Sequence, residues 1–149
     1  MNLTQPYTVE QLIHSDKAFE LNIDNTPPPD VVANMEQYLI PGLNQVRKIL
    51  GHDMTHSSGY RCLALNTAVG GSKTSAHMHG YAEDFWCPAF GSTLTVVDAI
   101  EAAMKRGEIK FDQLIEEHTW VHISFDPRFR EQEETAHFVN GQATYTVGT

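Results

Sequence analysis

Ser75-Ala76-His77-Met78-His79-Gly80-Tyr81-Ala82-Glu83-Asp84 places two metal-ligand side chains, His77 and Asp84, on either side of Gly80 and Ala82. Small residues between them are expected to leave room beside a metal. Zinc accepts imidazole nitrogen and carboxylate oxygen, and a catalytic zinc site uses three protein ligands and leaves the fourth position to water. Two ligands are too few. The rest of the chain has to supply a third, together with a base and a pocket.

Downstream, Trp120-Val121-His122-Ile123-Ser124-Phe125 alternates in the manner of a strand. Val121, Ile123 and Phe125 form its apolar face, which leaves Trp120, His122 and Ser124 on the other. His122 therefore points away from the core on a rigid element, where a metal ligand is well placed. The same parity over residues 80–85 groups Gly80, Ala82 and Asp84 on one face, with Asp84 in open space beyond two small side chains. Other pairings fit less well. His118 and His122 would share a helical face, but Thr119, Trp120 and Val121 favour a strand, in which the two lie about 13 Å apart. His79, two residues from His77, is a reserve ligand. There is no His-Glu-x-x-His motif, which removes the common helical zinc proteases.

Around this centre the chain reads as helices followed by strands. The capping-box spacing of Thr8 and Gln11 opens a helix over about 8–20. Pro27, Pro28 and Pro29 make a rigid connector. Asp30 then caps a long helix with Val32, Met35, Leu39, Leu43, Val46 and Leu50 at helical spacing, closed by Gly51 and kinked or split at Pro41. A brief strand or loop is expected over 54–60 and a short helix within 61–69. A further helix runs over 93–106. Strands 111–115 and 120–125 should pair antiparallel across a short turn, and the tail from Phe138 to Tyr145 suggests a terminal hairpin. Without regular βα alternation, the expected class is α+β, a small antiparallel sheet with flanking helices.

Composition sets further bounds. The 149 residues fit one domain, 1–149, and 41% hydrophobic with 19% charged residues is ordinary globular usage. A net charge of −9 argues against a nucleic-acid partner. Two cysteines, Cys62 and Cys87, cannot build a disulfide framework and read as small buried hydrophobes. Met1 to Glu10 has neither a basic n-region nor an apolar core, and no apolar run reaches the roughly 20 residues that span a bilayer. The expectation is synthesis in a cytoplasm without a signal peptide and without membrane insertion.

Ser75-x-His77-x-x-Gly80-x-Ala82-x-Asp84 with Trp120-x-His122 resembles the zinc D-alanyl-D-alanine carboxypeptidase family, which includes D,D-dipeptidases and phage L-alanyl-D-glutamate endolysins. Ser58-Gly59-Tyr60-Arg61, Asp24-Asn25-Thr26-Pro27, Asn66 with Gly70-Gly71, and Phe111-Asp112-Gln113-Leu114-Ile115 with Glu117 resemble its small single-domain branch. The resemblance covers roughly residues 8–126 and implies the α+β fold shared with the hedgehog signalling domain. It also implies that His77, Asp84 and His122 bind Zn2+ and that Arg61 and Ser75 hold the substrate. A carboxylate near His122 would be the general base. Many members carry Glu or Asp where this chain has Thr119. With the strand continued through Glu117, parity groups Glu117 with Gln113 and Ile115 and sets Glu116 opposite. Because Glu117 also sits where similar small-branch sequences place their Glu, the resemblance makes it the preferred base, with Glu116 and His118 as runners-up. Trp120, and with it Tyr60 and Met78, would wall the pocket. The implied function is zinc-dependent hydrolysis of peptidoglycan stem peptides, as carboxypeptidase or endopeptidase, by a monomer released to the wall as phage lysis enzymes are. A non-catalytic zinc-containing binding module on the same fold is the alternative.

Overall fold

Thr8 opens the first helix with a reciprocal pair of bonds: its hydroxyl accepts from the Gln11 N–H, and the Gln11 side chain accepts from the Thr8 N–H. In the computed structural model, which describes residues 7–139 and 142–147, this helix, α1, spans only Val9–Ile13. His14 is extended, and Ser15 starts α2 (Asp16–Glu20) by accepting from the Ala18 N–H. The single helix expected over 8–20 is therefore two, because Ser15 competes for the backbone donors as a cap.

The proline connector leads into α3 (Pro29–Asn34), with Pro29 rather than Asp30 at the entry, where a missing N–H costs nothing. The chain stays helical through a π turn at Met35–Leu39 into α4 (Ile40–Leu50), and Gly51 closes it at φ 68°. Pro41 lies just after the π turn. Its ring displaces the carbonyl one turn back, and the wider turn absorbs both that clash and the lost bond. The expected irregularity is thus a widening that precedes the proline. Val31, Met35, Leu39, Leu43, Val46 and Leu50 are buried, while Val32 packs at the edge.

Among the described residues six strands follow: β1 (Thr55–Ser58), β2 (Ala82–Trp86), β3 (Gln113–Glu116), β4 (Val121–Ser124), β5 (Gln132–Val139) and β6 (Gln142–Val147). They form one sheet in the order β1-β2-β4-β3-β5-β6. Every neighbour pair is antiparallel except β3 and β5, which are parallel. The fold is α+β. The terminal hairpin exists as β5 and β6, but β5 begins at Gln132, six residues before Phe138. Between strands lie α5 (Leu63–Ala68), a 3-10 turn (Ala76–His79) and α6 (Thr93–Lys105), whose N-cap is Ser92.

One sheet face carries Phe85, Leu114, Val121 and Ile123 against α4 and α6, where Leu43, Val97 and Ile100 are fully buried. Each such side chain stabilises the fold by about 1.5–3 kcal/mol. Cys87 is buried and Cys62 packs at the margin, both as free thiols. The opposite face of β2, β4 and β3 is left for chemistry. No helix among the described residues is long and apolar enough to cross a membrane.

Candidate functional site

The register of β2 and β4 makes Asp84 and His122 cross-strand partners, so their side chains rise from the same face. His122 Nδ1 lies 2.9 Å from Asp84 Oδ1. His77 arrives from the 3-10 turn rather than from a strand. The Ser75 hydroxyl accepts from the His77 N–H, and Gly80, at φ 76°, ends the turn in the left-handed region. His77 Nδ1 donates to the Gly59 carbonyl at 2.7 Å, which can only accept. That bond fixes the tautomer and leaves the Nε2 lone pair aimed at Asp84 Oδ1, 3.2 Å away.

These three residues form the one group among the described residues that could hold a metal ion, with donor atoms within 4.8 Å of one another. Two imidazoles and a carboxylate suit zinc. His122 Nε2 is buried with no hydrogen-bond partner, and the ring is held by the Asp84 bond at Nδ1 and by its edge-to-face contact with His77, 5.1 Å between centroids. Burial opposes ionisation of Asp84, but His77 and His122 outweigh it and hold the carboxyl well below the usual range. Burial pulls His77 down, toward the neutral form that binds metal, against the pull of Asp84. His122 is raised because the Asp84 carboxylate overcomes burial.

Two expectations about the motif change. Asp84 is buried, only 8% exposed, and does not stand in open space. Gly80 is small for a different reason than room for a metal: a Cβ there would crowd Met35 and Val31 at 2.9 Å, so glycine lets the turn pack on the helix.

Arg61, Ser75, His77, Asp84, Glu117, Trp120 and His122 line one cavity of about 730 Å³. Glu117 follows β3, and its N–H bonds to the Trp120 carbonyl, closing the turn into β4. Its side chain accepts from Trp120 Nε1. Gln113 and Ile115 line the same cavity, as strand parity demands. Glu116 faces the other way, accepting from the Thr93 hydroxyl at 2.6 Å and the His118 N–H at 2.7 Å. His118, at φ 65°, sits 3.3 Å from Glu116, and neither residue lines the cavity. Thr119 belongs to the tight turn, its N–H bonded to the Glu117 carbonyl.

Arg61 Nη2 is 3.4 Å from Ser75 Oγ, while its Nε is buried without a partner. Burial lowers the guanidinium's affinity for its proton, and Asp84 and Glu117 oppose that. His79 lies apart from the cluster, beside the Tyr81 ring. Tyr60 belongs to the core, and Met78 does not line the cavity. Sequence reasoning assigned no role to Gly59, whose carbonyl orients His77, nor to the cavity wall of Gly70, Gly71 and Glu134. Gly59 was visible beside Arg61; Glu134 required the parallel β3–β5 pairing, which no local pattern announces.

A comparison with curated proteins gives no match. The family model described as peptidase M15 matches residues 5–124, a span that includes His77, Asp84, Glu117 and His122. On that match the chain belongs to the peptidase M15 family, the zinc D-alanyl-D-alanine carboxypeptidase family its motifs resemble.

Proposed function

We propose that the chain is a zinc-dependent peptidase that hydrolyses stem peptides of bacterial peptidoglycan. The observation that carries this is the convergence of His77, Asp84 and His122 in a cavity whose wall also presents Glu117 and Arg61. His77, Asp84 and His122 would hold zinc, which would supply an electrophile and lower the pKa of a water toward about 7.

The chain's own residues do the rest. Glu117 takes a proton from the attacking water and returns it to the leaving amine, the double duty of one carboxylate. The Trp120 indole N–H holds that carboxylate in orientation, and its ring gives the substrate an apolar wall. Arg61 has an unpartnered buried Nε, and its planar fork suits a substrate carbonyl or carboxylate whose oxygen gains negative charge. Ser75 steadies both the guanidinium and the His77 turn. A net charge of −9 gives no attraction to an anionic wall, so affinity has to come from the cleft. The setting is that of a phage or prophage lysis enzyme, acting once released to the wall.

The test incubates zinc-loaded protein with purified peptidoglycan and follows new amino groups, beside Glu117→Gln and His77→Ala. Release by the wild type and loss in both variants is expected. Zinc retention without turnover on wall, stem peptides or D-Ala-D-Ala would favour a binding module instead.

A further inference from the structure

Glu116 and Val121 are the last pair of the β3–β4 ladder, and residues 117–120 turn the chain between them. The Glu117 N–H donates to the Trp120 carbonyl at 3.0 Å, and the Thr119 N–H donates to the Glu117 carbonyl at 2.7 Å. His118 stands at the corner with φ 65°. Tight hairpin turns take that left-handed backbone most readily from Gly, Asn or Asp, and Glu117-His118-Thr119-Trp120 contains none of them. The turn therefore needs support from outside itself.

Glu116 gives that support. Only 5% exposed, its side chain turns away from the cavity and reaches Thr93, the first residue of α6. Its Oε1 accepts from the His118 N–H at 2.7 Å and from the Thr93 hydroxyl at 2.6 Å, and its Oε2 lies 3.3 Å from His118 Nδ1. The same hydroxyl is 3.2 Å from the His118 carbonyl. Both backbone polar groups of the corner residue are thus tied to α6, which the core holds through Val97 and Ile100. The ends of the turn carry the cavity side chains Glu117 and Trp120, and the Trp120 indole N–H donates to Glu117. Any rotation of the turn swings that carboxylate with it.

We propose that Glu116 and Thr93 are positioning residues, a clamp on the far face of the sheet that fixes the 117–120 turn and through it the direction of the Glu117 carboxylate. Neither lines the cavity, so the clamp acts only through the turn. This rests on the zinc-peptidase reading of the site.

Thr93→Val removes the hydroxyl at nearly constant shape, and Glu116→Leu removes the acceptor. Thr93→Ser and Glu116→Gln keep an oxygen in each place. The probe is the synthetic stem peptide L-Ala-D-Glu-L-Lys-D-Ala-D-Ala, with rates taken per folded, zinc-bound chain. Both disruptive variants are expected to lose about 10–100-fold in kcat at unchanged KM, since a misplacement of about 1 Å can cost about 100-fold. The conservative pair should retain most of the rate. Adding Thr93→Val to Glu117→Gln should cost nothing further, because the clamp then has no base left to aim. Wild-type kcat in either disruptive variant, or an undiminished further loss in the Glu117→Gln background, would overturn the proposal. So would a kcat in Glu116→Gln as low as in Glu117→Gln, which would make Glu116 a base. Without zinc or substrate, the NMR signal of the Trp120 indole N–H should move toward that of free indole in both disruptive variants and hold its place in the conservative ones. An unmoved signal in either disruptive variant would overturn the clamp. If wild type turns over no stem peptide, the peptidase reading fails, and the indole signal still decides whether the clamp exists.

Discussion

Asp84 and His122 are paired across β2 and β4, with His122 Nδ1 2.9 Å from Asp84 Oδ1. Two donors on adjacent hydrogen-bonded strands are fixed by the sheet ladder, so little ordering remains when an ion arrives. Asp84→Asn keeps the shape and removes the charge. Even loss of an outer-shell partner lowers metal affinity by roughly 10–100-fold, so loss of this carboxylate should exceed about 100-fold. Competition with a chromophoric chelator measures it, and unchanged affinity would mean that the donor set is wrong.

Glu117→Gln should leave zinc content intact, since a Gln oxygen still accepts from Trp120 Nε1. Its kcat should fall by about 10²–10⁴, the usual contribution of a positioned acid/base. Wild-type turnover in this variant would transfer the role to Glu116 or His118, although both are tied to each other and to Thr93 on the far side of β3.

The side on which each residue lies was legible wherever alternation decides it. His122 opposite Val121 and Ile123, and Glu117 in step with Gln113 and Ile115, both follow from period-two parity. The same rule does not reach His77, because a 3-10 turn capped by Ser75 holds it there in place of a strand. Local capping also split the first helix at Ser15. Gly80 was informative for a reason no local pattern contains, its contact with Val31 and Met35 some fifty residues earlier. The parallel β5 was hidden in the same way: its pairing with β3, nineteen residues earlier in register, is a contact that its own charged sequence does not announce.

Arg61→Ala separates function from stability. The partnerless buried Nε carries a desolvation cost of about 1–3 kcal/mol in the free protein, which the variant relieves. Its Tm should therefore be unchanged or higher, while kcat falls by about 10²–10³ as for a lost oxyanion donor. A large drop in Tm would identify Arg61 as structural instead.

His56 and Glu83 give stability a pH dependence. His56 Nε2 lies 3.0 Å from the His14 carbonyl, which requires a proton, and its Nδ1 lies 2.7 Å from Glu83 Oε2, which requires another. Burial pushes Glu83 from 4.5 up to about 7, against the pull of His56. Burial opposes protonation of His56, but the Glu83 carboxylate outweighs it and raises His56 above 6.5. Both groups hold protons more tightly when folded, so their contribution is full below pH 4.5 and is lost as pH rises through 7. Urea unfolding in chelator from pH 5 to 8 should show wild type losing stability relative to Glu83→Gln. Wild type gaining stability relative to Glu83→Gln as pH rises would overturn this sign.

Gly59→Ala tests whether the backbone sets the metal site. A Cβ at position 59 would overlap the Leu12 carbonyl oxygen, which is fixed in place by accepting the Tyr60 N–H at 2.8 Å. Relief requires the 59–60 segment to move, and the Gly59 carbonyl that accepts from His77 Nδ1 moves with it. Overpacking of this kind costs typically about 1–3 kcal/mol. Disturbing the partner of a ligand histidine lowers metal affinity by about 10–100-fold. Both effects should appear together in Gly59→Ala, whereas a variant elsewhere in the core, such as Leu50→Ala, should lose stability while its zinc affinity, measured on the folded protein, stays at the wild-type level. If Gly59→Ala unfolds more easily yet binds zinc as tightly as wild type, the Gly59 carbonyl does not orient His77 for the metal.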